Sequence, residues 1–298
     1  MTVLDADLAL VAPIGRGTRP LGVSRAALGM WRTRIGLLML VVIAAIAVFG
    51  PLVAPYGEAE FVGTPNTRHV EGARLGTDYF GQDVFSRFLY GGRSILVLAV
   101  LATSIALVAG TLIGLVAAYN RGRLDDVLMR IMDVNLAFPQ LLLVLVALTT
   151  IGPKGWLIVV VIAVTTMPRI ARITRGAAVP VVERDFVGAA EALGEPRWRI
   201  LMSELLPNIS GPLLVEANLR LTYTIGTIAS LGFLGFATKV NAADWGLMVN
   251  ENRGALSVNP WGTLLPAAAI AVLTVATGLI ADGVARATAG IDRVRGDQ

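Results

Sequence analysis

The residues able to do chemistry are few and are poorly spaced for it. The only two lysines, Lys154 and Lys239, follow Pro153 and Thr238. Neither is the lysine of a Gly-Lys-Ser/Thr loop, so the chain cannot grip nucleotide phosphates in that way. His69 is the single histidine and has no partner at metal-ligating or catalytic spacing, so it reads as a solvated loop residue. With no cysteine, disulfides, thiolate catalysis and Cys-ligated metals fall away. Neither His-Glu-x-x-His nor Gly-x-Ser-x-Gly occurs, which argues against a membrane protease or lipase. No catalytic, cofactor-binding or metal-ligating residue is nominated, and the chain reads as non-enzymatic.

The elements that such a chain must build lie in lipid. Of 298 residues, 55% are hydrophobic and 15% charged, with mean hydropathy +0.70, far from a soluble composition. Charge-free intervals over 35–57, 94–120, 134–153, 155–168, 221–238 and 254–281 predict an all-α membrane protein with six transmembrane helices. The fourth is short and becomes long enough if Lys154 snorkels and the helix continues past Arg169. No ionisable side chain sits at the centre of a predicted helix, whereas ion-coupled carriers need such groups despite their cost. A passive bundle, or one driven from outside, remains.

Arginines orient the spans. Placing both termini in the cytosol puts Arg121, Arg123, Arg130 and the cluster from Arg169 to Arg199 inside, as positive-inside asymmetry requires. This use of the net charge of +4 removes the need for a nucleic-acid partner. The expected divisions are a mobile cytosolic tail over 1–30, a first transmembrane helix over 31–54, and an external loop over 55–92 with a short membrane-parallel helix. A five-helix core over 93–290 follows, with a cytosolic loop over 183–208, and a cytosolic tail over 291–298.

That cytosolic loop, Asp185 to Asn208, predicts two short helices joined by a hinge. Asp185 caps the first, Gly194 ends it in the left-handed conformation, Pro196 opens the second and Pro207 stops it. Helices so short are marginal alone and need something to pack against. An amphipathic helix resting on lipid headgroups is the alternative, although the loop lacks a basic bias.

At these residues the chain resembles a known family. Gly188-Ala189-Ala190, three residues, Gly194 and then Leu206-Pro207 resemble the EAA loop of ABC-importer permeases, with Gly188 where the family has Glu. Leu75-Gly76-Thr77-Asp78, Gly81-Gln82-Asp83 and Ser86-Arg87 resemble a signature of the dipeptide/oligopeptide/nickel permeases, C-type subunit. Ala229-Ser230-Leu231-Gly232-Phe233-Leu234-Gly235 is similar to a further signature, with Ile228 in place of its Glu, and Asp244-Trp245-Gly246 and Pro260-Trp261 are family-like.

The resemblance implies an ABC type I importer-like permease of the bacterial inner membrane, carrying di- or oligopeptides; nickel, glutathione or opines are alternatives. It implies a second homologous permease, two ATP-binding subunits that hold ATP and Mg, and an extracytoplasmic binding protein as partners, besides membrane lipids. It assigns Asp185, Phe186, Gly188, Ala189, Ala190, Glu191, Gly194, Leu206 and Pro207 to ATPase coupling. The loops carrying Gly76, Thr77, Asp78, Gly81, Asp83, Asp244, Trp245 and Trp261 are candidates for docking the binding protein. An uncoupled channel or membrane scaffold is the alternative of another class.

Two further features concern packing. Ala106, Gly110, Gly114 and Ala118, at four-residue spacing, predict close helix contact, either within this chain or with a second permease. Phe138-Pro139 and Pro168 predict kinks, and Glu216 and Arg220 an intrahelical pair. Trp245 and Trp261 suit an interfacial belt.

Overall fold

Asp83 starts the longest helix of the computed structural model, which describes residues 26–237 and 242–290. Its carboxylate accepts from the Ser86 N–H at 2.8 Å and the Ser86 hydroxyl at 2.6 Å. The helix thus capped, α2 (Val84–Asn120), runs 37 residues, about 55 Å. The membrane-parallel helix expected within 55–92 is therefore absent from the described structure. Residues 54–83 form turns and isolated bridges, and 84–92 are the first turns of α2.

The helix runs unbroken through Gly91-Gly92, where Trp245 fills the space beside it. A Cβ at Gly91 would lie 2.7 Å from the Trp245 ring, and one at Gly92 2.5 Å. Trp245 is fully buried, stacks on Phe88 at 5.5 Å and donates its indole N–H to the Phe88 carbonyl at 2.9 Å. The expected place of Trp245 in an interfacial belt is thereby corrected: its ring lies in the core, while Trp261 is 47% exposed.

The other elements are α1 (Trp31–Val53), α3 (Arg123–Leu136), α4 (Gln140–Ile151), α5 (Gly155–Val182) and α6 (Asp185–Ala192). After α6 come α7 (Ser210–Phe233), α8 (Trp245–Asn252) and α9 (Trp261–Ala289). Among the described residues α1, α2, α5 and α9 are long and apolar enough to cross a membrane, and the α3–α4 pair adds a fifth span if counted as one. The two halves of that pair are bent by 76° at Ala137-Phe138-Pro139, so the expected kink is a full break. Pro139 has no N–H to continue the ladder, and the residue before a proline is pushed out of the helical region.

Pro168, in contrast, lies inside α5 without ending it, and α5 continues beyond Arg169 to Val182. Residues 1–25 of the expected N-terminal tail, residues 291–298, and Lys239 lie outside the described residues.

Helix α2 packs most extensively against α5, α9 against α1 and α7. One apolar cluster, around Ile95, Ile158, Ile225, Trp245 and Leu273, joins α2, α5, α7, α8 and α9. A second, around Leu115, Ala178, Val187, Leu205 and Ile209, lies where α2 and α5 end and the 183–208 loop begins.

Candidate functional site

Helix α6 hangs from the end of α5 by Glu183 and Arg184 alone. Arg184 is extended (φ −81°, ψ 146°) and occupies the cap position without a side-chain bond, so Asp185 is the first helical residue rather than the cap. Its charge still complements the N-terminal dipole. Gly194, at φ +78°, closes the other end. Its N–H donates to Glu191 O at 3.0 Å, and the Glu195 N–H donates to Ala190 O at 3.1 Å. This pair of bonds is a Schellman closure, which satisfies carbonyls left open by the last turn.

Burial divides α6 into two faces. Val187, 1% exposed, enters the second cluster, with Phe186 and Ala190 half-buried beside it. Asp185, Gly188, Ala189 and Glu191 face outward, and no atom lies within 4 Å of a Cβ built on Gly188 or Gly194. A groove of about 380 Å³ separates α6 from the next segment, lined by Ala189, Ala190 and Leu193 on one side and Arg199, Ser203 and Glu204 on the other.

The segment after Pro196 departs from the expected second helix. A turn, Arg197–Arg199, leads into a π-helix, Ile200–Leu205, and then a turn, Leu206–Asn208. Pro207, which lacks an N–H, ends the π register but not the helical path. The Ile209 N–H donates to Leu205 O at 3.2 Å, and α7 begins at Ser210. Leu205 and Ile209 are buried, Leu206 is half-buried and Pro207 exposed. An almost unbroken helical path thus joins the hairpin to α7.

On the opposite end of α2 a second polar assembly forms. Asp78 accepts from the N–H groups of Phe80 and Gln82 at 2.9 and 2.8 Å and pairs with Arg87, which is fully buried. Arg87 also donates to Glu251 at 2.9 Å and to the Ala242 carbonyl at 3.1 Å. Asp244 caps α8 through the N–H groups of Gly246 and Leu247 and accepts from the Ser94 hydroxyl at 2.5 Å. Burial pushes the Asp244 and Glu251 carboxyls above their usual range, opposed by the Ser94 hydroxyl and by Arg87 respectively.

This geometry corrects the expected docking residues. Gly76, Thr77, Asp78, Gly81, Asp83, Asp244 and Trp245 are all buried and tie the 54–83 loop and α8 to α2. Thr77 and Asp78 spend their side-chain bonds inside the protein, because the turn at Gly76 (φ +74°) folds the loop back on Thr67 O. Only Trp261 among them presents a side chain outward.

Residues 110–289 match the family described as binding-protein-dependent transport system inner membrane component. The chain belongs to that family. It is 33% identical to the di/tripeptide transport system permease protein of Pseudomonas aeruginosa over 94% of this chain and 93% of that one. It is also 33% identical to the dipeptide transport system permease protein of Alkalihalophilus pseudofirmus (84% and 83% covered) and 32% identical to the glutathione transport system permease protein of Pectobacterium atrosepticum (84% and 83%). Its fold is similar to that of a chain of the MetNI methionine ABC transporter in inward-facing conformations, with TM-score 0.55 and 19% identity over 68% of this chain and 96% of that chain. It is an integral inner-membrane transport component.

Within this permease, Ala106, Gly110, Gly114 and Ala118 lie buried on α2. A Cβ at Gly110 would stand 2.8 Å from Met167 O, and one at Gly114 2.5 Å from Ala171 O, so backbone contact with α5 excludes larger residues there. Two exposed apolar residues go beyond what the sequence nominates: Leu193, 84% exposed at the end of α6, and Trp198, 62% exposed. Their signal is an apolar side chain at the tip of a polar loop. Glu251, a mostly buried acid, is also missed by the sequence, since nothing near it marks a partner for Arg87.

Proposed function

We propose that the chain is one of two transmembrane permease subunits of an ATP-driven importer of di- or oligopeptides. In this reading α1, α2, the broken α3–α4 pair, α5, α7 and α9 make six crossings, with both termini cytosolic. Helix α7, at 24 residues or about 36 Å, is long enough, and its Glu216–Arg220 pair, 2.6 Å apart, neutralises the two charges it carries.

The family match carries the reading, because its residues 110–289 include the whole hairpin. Helix α6 is the contact for a separate ATPase, with Gly188, Ala189 and Glu191 on its open face and Leu193 and Trp198 beside it. ATP and Mg bind the partner chains, whose closure pushes α6. The helical path through Leu206 and Pro207 then passes the displacement to α7, switching the cavity between this chain and the second permease from inward- to outward-facing. An extracytoplasmic binding protein docks on the outer loops, using residues that surround the buried Asp78–Arg87 assembly. Peptide permease relatives support the cargo.

Purification with candidate ATPase chains, followed by uptake assays with labelled dipeptide, glutathione, nickel and opine, tests the reading. ATP-dependent dipeptide uptake is expected. Uptake of another of these solutes alone would replace the cargo, and ATP-independent flux would indicate a channel.

A further inference from the structure

Helix α3 is bounded by two discontinuities. At its start Arg121 sits at φ 48°, ψ 174°, a region that costs a residue with a Cβ, followed by Gly122 at φ 67°. At its end lies the 76° bend before α4. Between them are 14 residues with little apolar anchorage: Leu124, Val127, Ile131 and Val134 are 46–59% exposed, and Met132 is the one buried apolar side chain. Such a helix needs another attachment.

That attachment is polar and comes from α5. Asp125 receives two bonds from Arg175, Nε to Oδ1 and Nη2 to Oδ2, each 2.5 Å. Further along, Asp133 pairs with Arg172 and the Asn135 amide donates to Val164 O at 3.3 Å, while past the bend the first residue of α4, Gln140, donates to the Thr166 hydroxyl at 3.3 Å. The pairs are unequal. Asp133 and Arg172 are each about half exposed, where an ion pair contributes little, whereas the Asp125 side chain is 10% exposed and its fork-on-fork geometry fixes orientation as well as charge.

Arg175 is also well placed to transmit movement. It lies two turns before the end of α5 at Val182, which leads through Glu183 and Arg184 into α6. Its backbone N lies 3.0 Å from where a Gly114 Cβ would stand, so α2 packs directly behind it. We propose that the Asp125–Arg175 pair is a positioning contact that makes α3 a lever driven by α5, so that a push on α6 changes the bend between α3 and α4. This rests on the importer reading above. The exposed face of α3 then moves with the ATPase cycle, and the break at Phe138-Pro139 is the pivot.

The test uses the complete importer in proteoliposomes, with Asp125→Asn, Arg175→Gln and the exchange Asp125→Arg/Arg175→Asp. Assembly, ATP hydrolysis and solute taken up per ATP are read together. The single variants are expected to assemble and hydrolyse ATP while uptake per ATP falls about fivefold or more, and the exchange to recover most of it. Because the chain lacks cysteine, spin labels at Arg130→Cys and Thr149→Cys report the bend directly. ATP should change their separation in the parent and leave it unchanged with Asp125→Asn.

Uptake per ATP that stays within about twofold in both single variants would overturn the lever. So would a bend that answers ATP equally with and without the pair, or a loss confined to assembly. If the unmodified chain assembles with no ATPase and imports nothing, the importer reading fails first.

Discussion

Arg87 and Glu251 meet at 2.9 Å although they stand 164 positions apart, and Asp78 accepts from the same guanidinium nitrogen, Nη1. One fully buried cation thus fastens the 54–83 loop, α2 and α8 together. Replacing Arg87 with Met would leave two carboxylates facing each other in a closed space, at a cost of about 3–5 kcal/mol. Thermal unfolding of the purified chain in detergent should show this loss, with proteolysis beginning in the 54–83 loop.

Glu251 supplies a pH dependence of definite sign. The pKa of its carboxyl is raised in the folded chain, chiefly by burial and against the pull of Arg87, so the charged form is less favoured there than in the unfolded chain. The stabilisation is complete below the unfolded pKa and is lost as pH rises through the folded one. Glu251→Gln keeps an acceptor for Arg87 and removes the charge. Melting temperatures measured upward from acid pH should fall for the parent relative to this variant; parallel curves would remove Glu251 as the source.

Gly114 and Gly188 should respond oppositely to a larger side chain. Gly114→Leu pushes atoms into the backbone of α5 and should destabilise by about 1–3 kcal/mol. Gly188→Ala meets open space on a helix and should stabilise by about 0.5–1 kcal/mol. Paired melts of the two variants check the contrast.

Leu193 and Trp198 are large apolar groups left uncovered by this chain. Leu193→Asp and Trp198→Ala should leave its melting temperature nearly unchanged. Each should weaken the affinity for the ATPase chain roughly tenfold or more, as loss of an apolar anchor does. Titration of the purified partners reads the effect.

Much of the helical architecture is legible from local pattern. Charge-free runs mark α1, α2, α5 and α9 because lipid excludes charge over a length set by the bilayer. Gly194 announces a chain reversal because only a residue without Cβ adopts φ +78° freely. Non-local events are not legible. The loop expected up to Gly92 gives way to helix from Val84, with Trp245, more than 150 residues away, packed beside Gly91 and Gly92, and the aspartates of the 54–83 loop look available until Arg87 claims Asp78. Pro207 reads as a stop, yet a π-helix can precede a proline and let the helical path resume, and Phe138-Pro139 reads as a kink where the axis turns 76°.

The central claim is that the hairpin of α6 takes mechanical input from an ATP-hydrolysing neighbour. The most direct measurement uses Ala189→Cys, which puts one thiol on the open face of α6 in an otherwise cysteine-free chain, and cross-links it in membranes holding the assembled complex. A cross-link to the ATPase chain, with a yield that changes on ATP binding, is the predicted result. No such product, or labelling of the introduced thiol by an impermeant reagent applied outside intact cells, would contradict it.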